Sequence, residues 1–110
     1  MKVLFVSAFS VFLFLANLDA KKDISIISVT GKCDAPTLRL KKIRNNSDSK
    51  TIIAVVKRTM TLEGTKSTVI ITDTLKPKEI KDLGCSGCVV DGASNECTFF
   101  SLKSATYLNP

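Results

Sequence analysis

The chain has no histidine and no tryptophan, a single tyrosine, and only 6% aromatic residues over its 110 positions. Without histidine, Ser-His-Asp and Cys-His nucleophiles lose the base that activates them, and imidazole-based metal catalysis has no ligands. Without tryptophan, the Cys–Trp–Cys core of antibody domains cannot form. Phe5, Phe9, Phe12 and Phe14 fall within the first twenty residues. Only Phe99, Phe100 and Tyr107 then remain to stack on a sugar ring or a base, so nucleic-acid binding has charge without interleaved aromatics. There is no repeat of fixed period, no apolar stripe of helical period, and only one long hydrophobic run.

That one run opens the chain. Lys2 supplies a positive start, Val3 to Ala16 is apolar except for Ser7 and Ser10, and Leu18-Asp19-Ala20 offers a small residue just before Lys21-Lys22. This pattern predicts a secretory signal peptide over residues 1–20, cut after Ala20. The run is about 14 residues, short of the roughly 20 that a membrane-crossing helix needs. The remainder, Lys21 to Pro110, is enough for one domain and too little for two, and is expected to be soluble and secreted or periplasmic, with no stable membrane insertion after cleavage. The chain carries 16 Lys and Arg against 10 Asp and Glu, a net charge of +6. The leader takes one charge of each sign, Lys2 and Asp19, so the domain stays as basic.

All four cysteines, Cys33, Cys85, Cys88 and Cys97, lie in the expected mature part. An even number in an exported chain predicts two disulfides. A domain this small buries only about 60–65% of its unfolded surface, so covalent staples matter to it. Loop-closure entropy favours Cys33–Cys85 with Cys88–Cys97, worth roughly 4 and 2.7 kcal/mol, over a tight Cys85–Cys88 ring worth about 2. Cys33–Cys97 with Cys85–Cys88 stays open at this point, because entropy does not fix geometry. Cys85-Ser86-Gly87-Cys88 also has the spacing of a redox motif, but no helix start comes after it to lower a thiol pKa. A four-thiolate zinc site would present two close pairs, and Cys33 stands alone.

After the leader the hydrophobic period is two. Residues 24–29 are β-branched and end at Thr30-Gly31; residues 38–44 alternate but slip phase at Lys41-Lys42, which predicts a β-bulge. The run 51–62 is apolar on both faces in its first half, as in a central strand, and Gly64 marks a hairpin into 67–72. Pro77 breaks any ladder in the next connector, although a short helix at 77–83 is an alternative. Residues 80–85 and 98–107 complete the strands, and 86–96 reads as an irregular loop running from Ser86 to Glu96. The whole predicts an all-β antiparallel sandwich of six or seven strands, disulfide-stapled. Its central strand, Pro-containing connector and closing strand ending in Tyr107 resemble immunoglobulin-like sandwiches in shape, a likeness that implies no function.

The remaining candidates are weighed against plain solvation. Basic side chains concentrate at Arg39, Lys41, Lys42 and Arg44, with Lys57 behind; Arg39, Lys41, Arg44 and Lys57 form the expected surface for a protein or an anionic partner. Asp73, Glu79, Asp82, Asp91 and Glu96 sit in polar stretches that read as turns rather than a catalytic carboxylate pair. Asn45-Asn46-Ser47 is a glycosylation acceptor in an expected exposed turn. Phe99 and Phe100 point to opposite faces of a strand; the outer one is expected to lie beneath the 86–96 loop. No catalytic, cofactor-binding or metal-binding residue is expected. The function these features favour is an exported, non-enzymatic binding or structural module; the alternative is a small disulfide-braced inhibitor or secreted effector acting through residues 86–96.

Overall fold

The computed structural model describes residues 19–91 and 94–108. The expected leader, up to Leu18, lies outside the described residues. A single 3-10 turn (Lys21–Asp23) is followed by six strands: β1 (Ile24–Val29), β2 (Arg39–Asn45), β3 (Ile52–Leu62), β4 (Thr65–Leu75), β5 (Ile80–Asp91) and β6 (Ser94–Tyr107). They form one open antiparallel sheet in the order β1-β2-β5-β6-β3-β4. The all-β antiparallel class and the period-two strands are as the sequence implies.

β3 and β4 form the longest ladder, running without interruption from Ile52↔Leu75 to Leu62↔Thr65. The turn between them sets both central residues at positive φ, Glu63 at 50° and Gly64 at 83°. That is a type I′ turn, whose twist matches the flanking strands, and glycine makes its second position strain-free. β3 is central, with β4 on one side and β6 on the other.

β5 works in two halves. Ile80 to Ser86 pairs with β2, and Gly87 to Asp91 pairs with β6. The crossing point is Gly87, at φ +129°, where an added Cβ would stand 2.8 Å from the Thr37 carbonyl oxygen. The β2–β5 register does shift between Lys41 and Lys42, but the β1–β2 register runs through unbroken. The extra residue is therefore Leu83 on β5, which passes between the partners of Lys41 and Lys42.

One expectation is corrected, and one alternative is set aside. Residues 86–91 and 94–96 are not a loop: they are the end of β5 and the start of β6, paired from Gly87↔Thr98 to Asp91↔Ser94. Residues 77–83 hold no helix; a turn at Pro77-Lys78 leads into β5.

The two outer parts of the sheet fold toward each other. Ile24 and Ile43 from β1 and β2 share one buried cluster with Ile52, Val56 and Leu75 from β3 and β4, at the far end of the strand order. Burying each such side chain contributes roughly 1.5–3 kcal/mol. Ala20 also belongs to this core, fully buried, and its N–H donates to the Ala105 carbonyl at 2.9 Å. Asp19 forms an isolated bridge with Thr106.

Asn45 closes the junction between the outer parts. It is fully buried at the end of β2. Its Nδ2 donates to the carbonyls of Lys50 at 2.8 Å and of Leu75 and Lys76 at 3.1 Å each. Its Oδ1 accepts the Ser47 N–H at 2.9 Å. Two amide hydrogens serve three carbonyls, so one is shared. This corrects the expectation of an exposed turn at Asn45: its side-chain nitrogen is enclosed and engaged.

Asn45→Ala should cost at least about 2 kcal/mol, because the buried junction would lose the donor that its three carbonyls share. Asn45→Asp should cost more, since it sets a buried carboxylate against three carbonyl oxygens. Acid should partly rescue it, because burial raises that carboxyl's pKa and protonation restores one donor. Thermal unfolding of both variants at neutral and acidic pH measures this.

Candidate functional site

All four cysteines are bonded: Cys33 to Cys85, and Cys88 to Cys97. This is the pairing that loop closure favours. No thiol is left for redox chemistry or for zinc. Cys33–Cys85 fastens the connector between β1 and β2 onto β5, where the Thr37 hydroxyl also donates to the Cys88 carbonyl at 2.9 Å. Cys88–Cys97 crosses directly between paired residues of β5 and β6. Two disulfides point to an oxidising, extracellular or periplasmic environment. Among the described residues no helix is long and apolar enough to cross a membrane.

The expected basic residues are distributed by strand parity and strand order. Arg39 and Lys41 share one side of β2 with buried Ile43 and Asn45, and the Lys41 ammonium donates to the Ser28 hydroxyl. Arg44 lies on the other side of β2, opposite Ile80 and Ser25, with its Nε enclosed. Lys42 is on that side too and pairs with Asp82 at 3.3 Å. Lys57 is exposed on β3, separated from β2 by β5 and β6.

The carboxylates are placed differently from the sequence expectation of polar turns. Asp73 is within β4, Asp82 and Asp91 are within β5 and Glu96 is within β6. Glu79 does sit in a turn, where its Oε1 accepts the Lys76 N–H at 2.8 Å. Among the described residues no cluster of three or more His, Cys, Asp or Glu is arranged to hold a metal.

The aromatics separate clearly. Phe100 packs against the core. Tyr107 is buried; its hydroxyl donates to the Asp23 carboxylate, and the Lys50 ammonium stands 4.8 Å from its ring centroid. The hydrogen bond to Asp23, then burial, then the negative charges of Asp23 and Asp19 push the Tyr107 pKa up to about 12. Phe99 is 52% exposed. This corrects the expectation that a loop covers it: residues 86–91 and 94–96 are strand residues of the same sheet.

Phe99 is the centre of a surface that neither composition nor motif reveals. Pairing in the ladders sets Lys57, Thr59 and Thr61 of β3 on the same side as Ile70, Thr68 and Lys66 of β4 and Ser101, Phe99 and Cys97 of β6. Cys88 and Val90 of β5 continue that side. Its apolar members are open to solvent, Ile70 at 47% and Val90 at 73%. Lys57 and Lys66 are exposed on it. The bulge at Lys103, skipped between the partners of Val55 and Val56, determines that Phe99 faces outward and Phe100 inward. The opposite side of the same four strands carries a shallow groove of about 470 Å3 lined by Met60, Leu62, Glu63, Thr65, Ser67 and Glu96. One side is apolar and basic; the other holds two carboxylates.

Compared with known proteins, the chain matches no family model, no curated protein and no solved structure.

Tyr107 is the sole tyrosine and tryptophan is absent, so tyrosinate absorbance reports on this one residue. Ionisation should be displaced upward toward about 12, and Asp23→Asn should return it toward 10. Because the folded pKa is raised, the stability from this contact is fully present below pH 10 and is lost as pH rises toward 12. Denaturation midpoints across that window check the sign.

Proposed function

We propose that this chain is an exported, non-enzymatic binding module, released from its leader and built as an immunoglobulin-like sandwich in the sense of two layers around one core. It engages an acidic macromolecular partner through the outward side of β5-β6-β3-β4. The observation that supports this reading is the exposed Phe99, opposite Thr59 in the ladder, on the side that also exposes Ile70, Val90, Lys57 and Lys66. An exposed aromatic anchor is the usual core of a binding surface, and rim cations add rate and selectivity toward acidic partners. Cross-linking Cys88 to Cys97, on that same side, holds β5 and β6 together, which reduces the ordering cost of binding.

The second reading, an inhibitor or effector acting through residues 86–96, is favoured by that same brace, since it fixes β5 and β6 where they flank residues 92–93. The two readings use different residues. In affinity capture from the extracellular fraction of its source, Phe99→Ala should weaken partner retention about fivefold or more, the scale of a contact worth over 1 kcal/mol. Lys57→Glu with Lys66→Glu should abolish it, and Arg44→Glu on β2 should leave it intact. Retention unchanged by Phe99→Ala but lost with Asn95→Ala on β6 would favour the inhibitor reading.

The start of the released domain matters as well. A cut after Ala20 removes a residue that fills the core. Protein beginning at Lys21 should be less stable than protein beginning at Asp19 by roughly 1–2 kcal/mol, the scale of one buried methyl and one backbone hydrogen bond. Urea denaturation of the two forms, with the intact mass of exported material, tests this.

A further inference from the structure

We propose that β4 pairs edge to edge with β4 of a second copy of this chain, making a two-fold dimer with one continuous sheet. β4 is the terminal strand of the sheet order, and every residue from Thr65 to Ile70 is exposed. Natural edge strands are normally blunted by proline, a bulge, shortness or charge. β4 has none of the first three: Thr65–Leu75 is 11 residues long, contains no proline and keeps unbroken register with β3. Its charges, Lys66 and Asp73, sit near its two ends.

The type I′ turn fixes which backbone groups are free. In a two-residue hairpin the residues flanking the turn, Leu62 and Thr65, exchange both hydrogen bonds, and bonded pairs recur at every second position. The odd-numbered residues of β4 therefore bond to β3. The even-numbered ones, Lys66, Thr68, Ile70, Thr72 and Thr74, direct N–H and C=O away from β3; of these the Thr74 carbonyl accepts from the Lys81 ammonium at 3.0 Å, so the open stretch is Lys66 to Thr72. The neighbouring ladder agrees with this phase, since the Glu63 N–H bonds to Asn95 of β6 rather than to β4.

The side chains single out a second copy as the occupant. Thr68-Val69-Ile70-Ile71-Thr72 reads nearly the same in both directions about Ile70. A two-fold axis normal to the sheet through Ile70 would place Ile70 opposite Ile70, Val69 opposite Ile71, and Thr68 opposite Thr72. Ser67 would meet Asp73, and Lys66 would meet Thr74. Thr–Thr and β-branched aliphatic pairs are favourable cross-strand neighbours, and no like charges oppose each other. Ile70 is also an even-numbered residue, so the same axis that matches side chains aligns the free donors with free acceptors. The other edge lacks this property. β1, Ile-Ser-Ile-Ile-Ser-Val, is symmetric about the bond between Ile26 and Ile27, so two-fold pairing there would set inward residues against outward ones.

Dimerisation goes beyond the partner-binding reading and does not depend on it. Sedimentation velocity of the purified exported chain across the micromolar range should show a concentration-dependent dimer. Thr72→Pro removes an N–H that β3 does not use, and with its symmetry mate two intermolecular bonds, so self-association should fall about tenfold or more. Ile70→Lys places two ammonium groups on the axis and should leave monomer. Far-UV circular dichroism identifies the variant that keeps the fold. Wild-type amide exchange needs no substitution: amides of Thr68, Ile70 and Thr72 should gain protection as concentration rises. A wild-type monomer throughout, or a dimer whose folded variants associate as tightly, overturns the proposal.

Discussion

Everything in this fold depends on the side-chain amide of Asn45. The sheet is open, so no ladder ties its first strands to its last; β2 and β4 are separated in strand order by β5, β6 and β3. One amide spans that separation by donating to Leu75 and Lys76 at the end of β4 and to Lys50 at the entry to β3. The apolar cluster of Ile24, Ile43, Ile52, Val56 and Leu75 supplies the drive to close, but hydrophobic contact is non-directional. The amide supplies direction: it is satisfied only when these three backbone segments meet in one geometry.

The disulfides act where that junction does not reach. Cys33–Cys85 secures the long connector before β2 against the first half of β5, and Cys88–Cys97 secures the second half of β5 against β6. They fall on either side of Gly87, where β5 changes partner. A bend that is conformationally permissive is thus fixed covalently on both flanks. The outward side carrying Phe99 stands on the rigid product of that arrangement.

Much of this was legible in the residues. β1 appears as a β-branched run, β3 as a strand apolar on both faces, and the hairpin at Gly64 by its turn residue. The disulfide pairing is the one loop entropy favours. The rest was hidden for identifiable reasons. Residues 86–96 contain small residues and cysteines instead of alternating aliphatics, because the disulfide holds the strands where side-chain packing does so elsewhere. Asn45 carries the composition of an exposed turn, and only the tertiary fold encloses it. The basic residues look adjacent along β2, yet parity alone already separates Arg44 from Arg39 and Lys41. Parity also shows that one of Phe99 and Phe100 must face outward. It does not show that the outer ring is free of a covering loop, since that depends on how 86–96 folds.

The last strand made is the one the others wait for. β6 supplies pairing for β3 and for half of β5, and its Ala105 carbonyl receives the N–H of Ala20 from the opposite terminus. Synthesis must therefore pass β6 before Ala20 can find its acceptor and β3 its second neighbour. Until then β3 and β4 can pair through their own tight turn, and β1 with β2, but the strand that joins the two groups into one sheet is missing.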